Sequence, residues 1–284
     1  MRDLIGHTPL VKINYAFEQV EGVNLFAKLE YYNPSGSVKD RTGLYMVEDA
    51  IKDGRLKRGS TIVEATAGNT GLGVAFAALN QGFHVIFVVP EKFSEEKQIL
   101  MKALGADIIH TKREDGMLGA AAKAQELLSE IKDSISLQQF KNMSNPKAHY
   151  ETTGPEIYQD LDGKIDYLVA GAGSGGTYSG VVKFLKEQNR NIKGILADPV
   201  GSTMGGGEHA DYDIEGIGND FIADTMDMSL VDKVIKINDS QAFDGARALA
   251  RHEGILGGSS TGAAFSAALK LIYEHHVKGN IVFI

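Results

Sequence analysis

Twice in this chain a β-branched run stops at a glycine-rich loop that leads straight into an apolar helical period. The first is TIVEATAGNTGLG at 61–73, running into VAFAAL; the second is IDYLVAGAGSGGTYSG at 165–180. Few folds accept such a unit. A strand that feeds a helix returns beside itself as a parallel neighbour, through a right-handed crossover. The alternation recurs along the chain. Its periodicity predicts strands at 25–30, 61–65, 84–89, 107–110, 165–170 and 193–197, and helices at 70–81, 94–104, 117–132, 176–188, 240–252 and 261–275. Ser94 is a good N-cap for the second helix, and Glu95 and Glu96 favour its positive end. Alternation of this kind builds α/β layers, with parallel sheets covered by helices. The stretch 198–227 breaks the pattern. It is rich in Gly and Asp, and a loop of that length in a compact domain is usually functional or mobile.

Composition narrows the chemistry. Net charge is −8 and no basic cluster stands out, which argues against a nucleic-acid partner. The absence of cysteine excludes disulfides, thiolate metal sites and a Cys nucleophile. The eight histidines show no metal-ligand spacing, so no metal is expected, and each reads as a surface or satisfied core residue. No apolar run approaches the roughly 20 residues of a membrane span. MRDLIGHTPLVKIN lacks a signal-peptide core, so the expected location is the cytoplasm.

The two loops differ in what they can hold. Gly171, Gly173 and Gly176 match G-x-G-x-x-G, and Asp198 closes the next strand as a ribose-binding acid would. Two features count against a dinucleotide. The unit sits in the second half of the chain, and Asp198 runs directly into Pro199. The broader reading is an anion cradled by N–H groups at a helix start, with Ser174 and Thr177 hydroxyls assisting. The loop at 66–73 has a different glycine spacing and offers Thr66, Asn69 and Thr70, which suit a carboxylate or a phenolic oxygen.

Two further stretches stand out. Gly258, Ser260 and Gly262 spell the G-x-S-x-G of a hydrolase elbow. Downstream of Ser260, however, the only acid is Glu274 and the only histidines are His275 and His276, too close together to form a triad. Ser260 then reads as a hydroxyl presented into a pocket, or as a helix N-cap. In KLEYYNPSGSVKDR a helix begins near Val38 and places Lys39 in its first turn. A cation is disfavoured there, so a buried Lys39 has a lowered pKa and suits Schiff-base chemistry; a solvated surface lysine is the alternative.

Together these stretches resemble the fold-type II pyridoxal-phosphate enzymes of the cysteine synthase and cystathionine β-synthase family. The resemblance runs in order through IGHTPLV (where His7 replaces the usual Asn), NPSGSVKDR, EATAGNTG, PEKFSEEK, LGADII, QQFKNMSNPKAHYETTGPEI, GAGSGGT, EGIGNDF and GGSSTGAA. It implies two three-layer α/β domains with mostly parallel sheets, as in the tryptophan synthase β subunit. A smaller domain would span 36–140 and a larger one 1–35 with 141–284, with pyridoxal 5′-phosphate in the cleft between them. Lys39 would carry the cofactor and act as general base. Asn69 would bond the cofactor's 3′-oxygen, Gly173, Ser174, Gly175, Gly176 and Thr177 its phosphate, and Ser260 its pyridine nitrogen. A neutral hydroxyl at that nitrogen makes a moderate electron sink, which favours β-elimination. The substrate carboxylate would lie on Thr66, Ala67, Gly68 and Thr70, with Gln139 assisting, and closure of that loop would exclude water. Gly216, in EGIGNDF, would border the thiol acceptor.

Within that family the signals divide. QQF and TTGPEI resemble the O-acetylserine sulfhydrylases, and Phe140 stands where serine-using cystathionine β-synthases carry Tyr. ADPVGS and EGIGNDFIADTMD resemble cystathionine β-synthase. The resemblance therefore implies O-acetylserine as donor, with serine as a possible substitute, and homocysteine as acceptor, giving cystathionine. Sulfide as acceptor, giving cysteine, is the alternative. Family members are usually homodimers. Ala67 replaces the usual Ser, and the sequence ends at GNIVFI, where relatives continue into a short Pro-Asp-Ser segment.

Overall fold

The strand-to-helix alternation is realised as two mostly parallel sheets with helices on both faces. The computed structural model describes residues 2–66, 68–91 and 95–284. Its strands are β1 (Leu10–Lys12), β2 (Val23–Lys28), β3 (Thr61–Ala65), β4 (His84–Pro90), β5 (Asp107–Thr111), β6 (Ser134–Ile135), β7 (Tyr167–Gly171), β8 (Lys193–Pro199), β9 (Lys233–Ile237) and β10 (Gly279–Phe283). Its α-helices are α1 (Lys39–Lys52), α2 (Asn69–Ala78), α3 (Glu95–Ala103), α4 (Gly116–Glu130), α5 (Ser144–Ala148), α6 (Gly154–Asp160), α7 (Gly176–Gln188), α8 (Asp239–Glu253) and α9 (Ser259–Tyr273). A single π-helical turn, His149–Thr153, joins α5 to α6.

The chain divides into two units. The first comprises Met1–Gly6 and Asn33–Asn145, the second His7–Tyr32 and Pro146–Ile284. The first unit holds the sheet β5-β4-β3-β6, parallel throughout. Neighbouring residues of its strands serve opposite faces. Ile62, Phe87 and Val89 pack with Val47, Val74 and Met101, while Val63 and Val88 pack with Ala120, Ala124 and Leu127 of α4. Burial on both faces explains why these strands read as continuous apolar runs.

The second unit holds the sheet β1-β2-β10-β7-β8-β9, parallel except for the edge pair β1 and β2. Leu168, Ala170, Leu196 and Val282 face Val181, Val182 and Leu185 of α7; Val169, Ile195, Ile281 and Phe283 face Phe265, Ala268 and Leu271 of α9. The last strand is central: Ile281 pairs with Leu25 on one side and Tyr167 on the other.

Several boundaries differ from the periodicity. α2 stops at Ala78, not at 81, because Leu79 turns extended (ψ 129) and Asn80 takes φ 61. β7 begins at Tyr167, two residues late. Strands β1, β6, β9 and β10 are additional to the six expected; each is short or follows an irregular stretch, so alternation alone does not mark it. Ser94, the expected N-cap of α3, lies outside the described residues. Among the described residues no helix is long and apolar enough to cross a membrane.

Candidate active site

In the first unit, Lys39 is the first residue of α1. The preceding turn closes where Gly36 N–H donates to Asn33 O at 2.8 Å. Asp40, fully buried, accepts from Ser35 N–H at 2.7 Å and from the Ser35 hydroxyl. An acid in a first helical turn is favoured by the helix dipole, and a lysine is not. Lys39 is partly exposed as a residue, but its ammonium is desolvated, and burial pushes its pKa down to about 8. About a tenth of the amine is therefore neutral at pH 7, far more than in an ordinary lysine, which suits imine formation or proton acceptance.

α1 lies directly on α2, and two glycines make this possible. A Cβ on Gly73 would sit 2.3 Å from Lys39 O; one on Gly43 would sit 2.3 Å from the Gly73 carbonyl carbon. Asn69 lies one turn before Gly73, so it shares the face that meets Lys39. The Thr70 hydroxyl donates to Gln139 Oε1 at 2.7 Å. Asn145 Nδ2 donates to Gln139 O at 2.9 Å, and the Thr42 hydroxyl to Asn145 Oδ1 at 3.1 Å. Thr70 and Gln139 are thus joined to each other and, through Asn145, to the lysine-bearing helix. Thr66 is buried at the end of β3. Gly68 is the N-cap of α2. Ala67 lies outside the described residues.

In the second unit, α7 starts from Gly175, whose φ of 81 only glycine takes readily. Three successive carbonyls before it are taken by the 198–227 stretch. Gly218 N–H donates to Ala172 O at 2.8 Å, Asn219 Nδ2 to Gly173 O at 2.6 Å, and the Thr225 hydroxyl to Ser174 O at 2.5 Å. These three bonds fasten the loop to that stretch and hold it at the start of α7. Gly173 must be glycine: its Cβ would lie 2.5 Å from Gly216 O. Glu215 N–H, next along, donates to the Ser259 hydroxyl at 3.0 Å. The unit therefore brings Gly173, Gly216 and the start of α9 together. Ser260 is the second residue of α9, whose N-cap is Gly258, so the N-cap reading of Ser260 does not hold.

The dinucleotide alternative fails at Asp198. Its carboxylate is buried and accepts from Lys236 Nζ at 2.5 Å and Gly205 N–H at 3.0 Å. A group so engaged fastens the base of the long loop and is not presented to a ribose. His7, at the family's usual Asn, has φ 49, a left-handed conformation that Asn and His enter more readily than most residues.

Sequence reading missed four supporting groups: Glu64, His149, Asn219 and Thr225. Glu64 is half-buried and accepts from the Ser136 hydroxyl at 2.9 Å, Gln138 N–H at 3.1 Å and Leu137 N–H. Burial pushes its pKa up, against the pull of those donors. It fixes the turn where Gln138, at φ 53, precedes Gln139. The only signal in the letters was their place inside EATAGNTG, NPKAH and EGIGNDFIADTMD.

A lysine of lowered pKa at a helix start in one unit, and a glycine-rich strand-to-helix loop in the other, are the features expected of one class: an enzyme that binds a phosphorylated carbonyl cofactor. The comparisons agree. Residues 1–284 match the family described as pyridoxal-phosphate dependent enzyme, and the chain belongs to it. It is 50% identical to the O-acetylserine dependent cystathionine beta-synthase of Bacillus subtilis, over 99% of this chain and 91% of that protein. It is 45% identical to a cysteine synthase of Helicobacter pylori, over 95% of this chain and 89% of that one. A hydrogen sulfide-producing enzyme from Fusobacterium nucleatum superposes with a TM-score of 0.94 at 41% identity, over 99% and 93% of the two chains. The protein is a pyridoxal-phosphate-dependent β-replacing enzyme of the cystathionine β-synthase and cysteine synthase type. Its residues fit that cofactor: a lysine of lowered pKa on α1, and at α7 a loop too tight for a Cβ at Gly173.

Proposed function

We propose that this enzyme replaces the β-acetoxy group of O-acetylserine with the thiol of homocysteine, forming cystathionine and releasing acetate. Bound pyridoxal phosphate supplies the electron sink that makes the α-proton and β-substituent of an amino acid removable. Lys39 would hold the cofactor through its amine and, once the substrate's amino group has displaced it, the freed Nζ would take the α-proton. Gly173, Ser174, Gly175, Gly176 and Thr177 hold the phosphate, Asn69 the 3′-oxygen, and the Ser260 hydroxyl the pyridine nitrogen. Thr66, Gly68, Thr70 and Gln139 orient the substrate carboxylate, with Ala67 between them, and Gly216 borders the incoming thiol. Phe140 brings no hydroxyl to help expel hydroxide, which favours acetate over water as leaving group.

The observation that carries the reading is the lysine of α1, whose pKa is pushed down to about 8 by burial. It stands in a chain 50% identical to an O-acetylserine-dependent relative over most of both lengths. Lys39→Ala should abolish turnover; measurable β-replacement in that variant without added amine would sink the assignment. The acceptor is tested by competition. With O-acetylserine present, homocysteine and sulfide are supplied together, and cystathionine and cysteine are both quantified. Sulfide as acceptor is the second reading, favoured by the 45% identity to a cysteine synthase. Predominant cysteine at equal acceptor concentrations would establish it in place of the first.

A further inference from the structure

The π-helical turn His149–Thr153 sits against the face of α7 that carries Thr177. Single π turns inside helical segments are rare and concentrate at functional sites. This one closes around a buried imidazole. His149 is fully buried, with Nδ1 3.0 Å from the Thr153 hydroxyl and Nε2 3.2 Å from the Thr177 hydroxyl. Gly180, one turn along α7 from Thr177, permits the approach: its Cβ would lie 2.2 Å from Pro146 O and 2.8 Å from His149 Cβ. Gly154, just past the turn, likewise packs on Phe184, where a Cβ would lie 3.0 Å away. Thr177, Gly180 and Phe184 form one stripe of α7, and the turn is seated on it.

We infer that His149 is a positioning residue for the cofactor phosphate, acting through Thr177. The inference rests on the phosphate reading of the 173–177 loop. A threonine hydroxyl has one proton to donate, and to spend it on a phosphate oxygen Thr177 must accept from its other neighbour. That neighbour is Nε2, which therefore carries the imidazole proton. Nδ1 is then the acceptor, and the Thr153 hydroxyl donates to it. The three groups form a directed series: Thr153 O–H to Nδ1, Nε2–H to Thr177 Oγ1, and Thr177 O–H to the phosphate. The Nε2–H form of the imidazole is what aims the threonine proton, because the tautomer is set by the bond its other nitrogen makes.

The test uses the holoenzyme and two readouts, the rate at which cofactor is released to a trap and the ³¹P resonance of the bound phosphate. His149→Met removes the donor while nearly keeping the volume. It should speed release about 5- to 10-fold, the loss of one hydrogen bond, and shift the ³¹P resonance. His149→Gln, whose amide can reach as far as Nε2, should restore both readouts toward wild type. In a Thr177→Val background His149→Met should add nothing further. Equal acceleration by His149→Met in both backgrounds, or no acceleration beside an effect of Thr177→Val, overturns the role of His149 and leaves the phosphate reading standing. No effect of Thr177→Val itself overturns the phosphate reading, and this inference with it. If His149→Met does not fold, Thr153→Val carries the test, since losing its hydroxyl frees the tautomer and should give a smaller change of the same sign.

Discussion

The crossing of α1 and α2 sets where Lys39, the proposed reactive lysine, stands, and Gly73→Ala tests it. The added Cβ would lie 2.3 Å from Lys39 O and 2.8 Å from Lys39 C. Carbon and oxygen need more than 3 Å, so the helices must part by about 1 Å. Two effects oppose each other. Alanine in a helix interior gains about 1 kcal/mol over glycine. Overpacking costs about 1–3 kcal/mol, and the upper end applies because the obstacle is backbone, with no rotamer to yield. The clash wins, and a net loss of about 2 kcal/mol is expected, measured by urea denaturation. Turnover should fall more than stability does, by about 100-fold, because a 1 Å error in placing a reacting group costs that much. Gly43→Ala, whose Cβ would lie 2.3 Å from the Gly73 carbonyl carbon, should reproduce both effects. A Gly73→Ala enzyme as stable as wild type, with turnover within threefold, would refute the argument that backbone contact positions Lys39.

Other outcomes follow from the same residues. In cofactor-free protein, acylation of Lys39 should rise with a midpoint near pH 8, where an ordinary lysine gives about 10.4; a midpoint near 10 would contradict the desolvation argument. The same shift lowers stability as pH falls, since the unfolded lysine takes its proton first. The loss should develop from the unfolded value of 10.5 down through about 8 and be absent in Lys39→Met. Glu64→Ala strands the donors at 136–138, so stability should drop by about 2–4 kcal/mol and the donor KM should rise as Gln139 loosens; an unchanged KM would detach Glu64 from the substrate side. Ala67→Ser adds the hydroxyl that the family resemblance implies at this position, and should tighten donor binding about 2- to 10-fold, one hydrogen bond's worth, read from the donor KM.

Much of the candidate site was legible because its signals are local. Glycines at 171, 173, 175 and 176 lie where a strand passes into a helix, and that order alone marks a candidate anion loop. Lys39 was legible as a cation at a helix start, where its own helix works against its charge. The supporting groups were not legible. Glu64 meets 136–138, Asn219 meets 173 and His149 meets 177, pairs separated by 28 to 74 residues. No periodicity encodes a hydrogen bond across such a span. The same limit hid the centre of the larger sheet, where residues 279–283 lie between strands beginning at 23 and 167.

By itself the sequence determined the α/β class, the order of the motifs and the chemical type of each candidate group. Apolar period, glycine position and helix polarity act over a few residues and are written in neighbouring letters. Only the tertiary structure decided that Asp198 serves Lys236 and not a ribose, that Gly73 carries the backbone of Lys39, and that a buried imidazole stands behind Thr177. Each of these depends on which surfaces meet once the sheets have formed, and close packing settles that contact by contact.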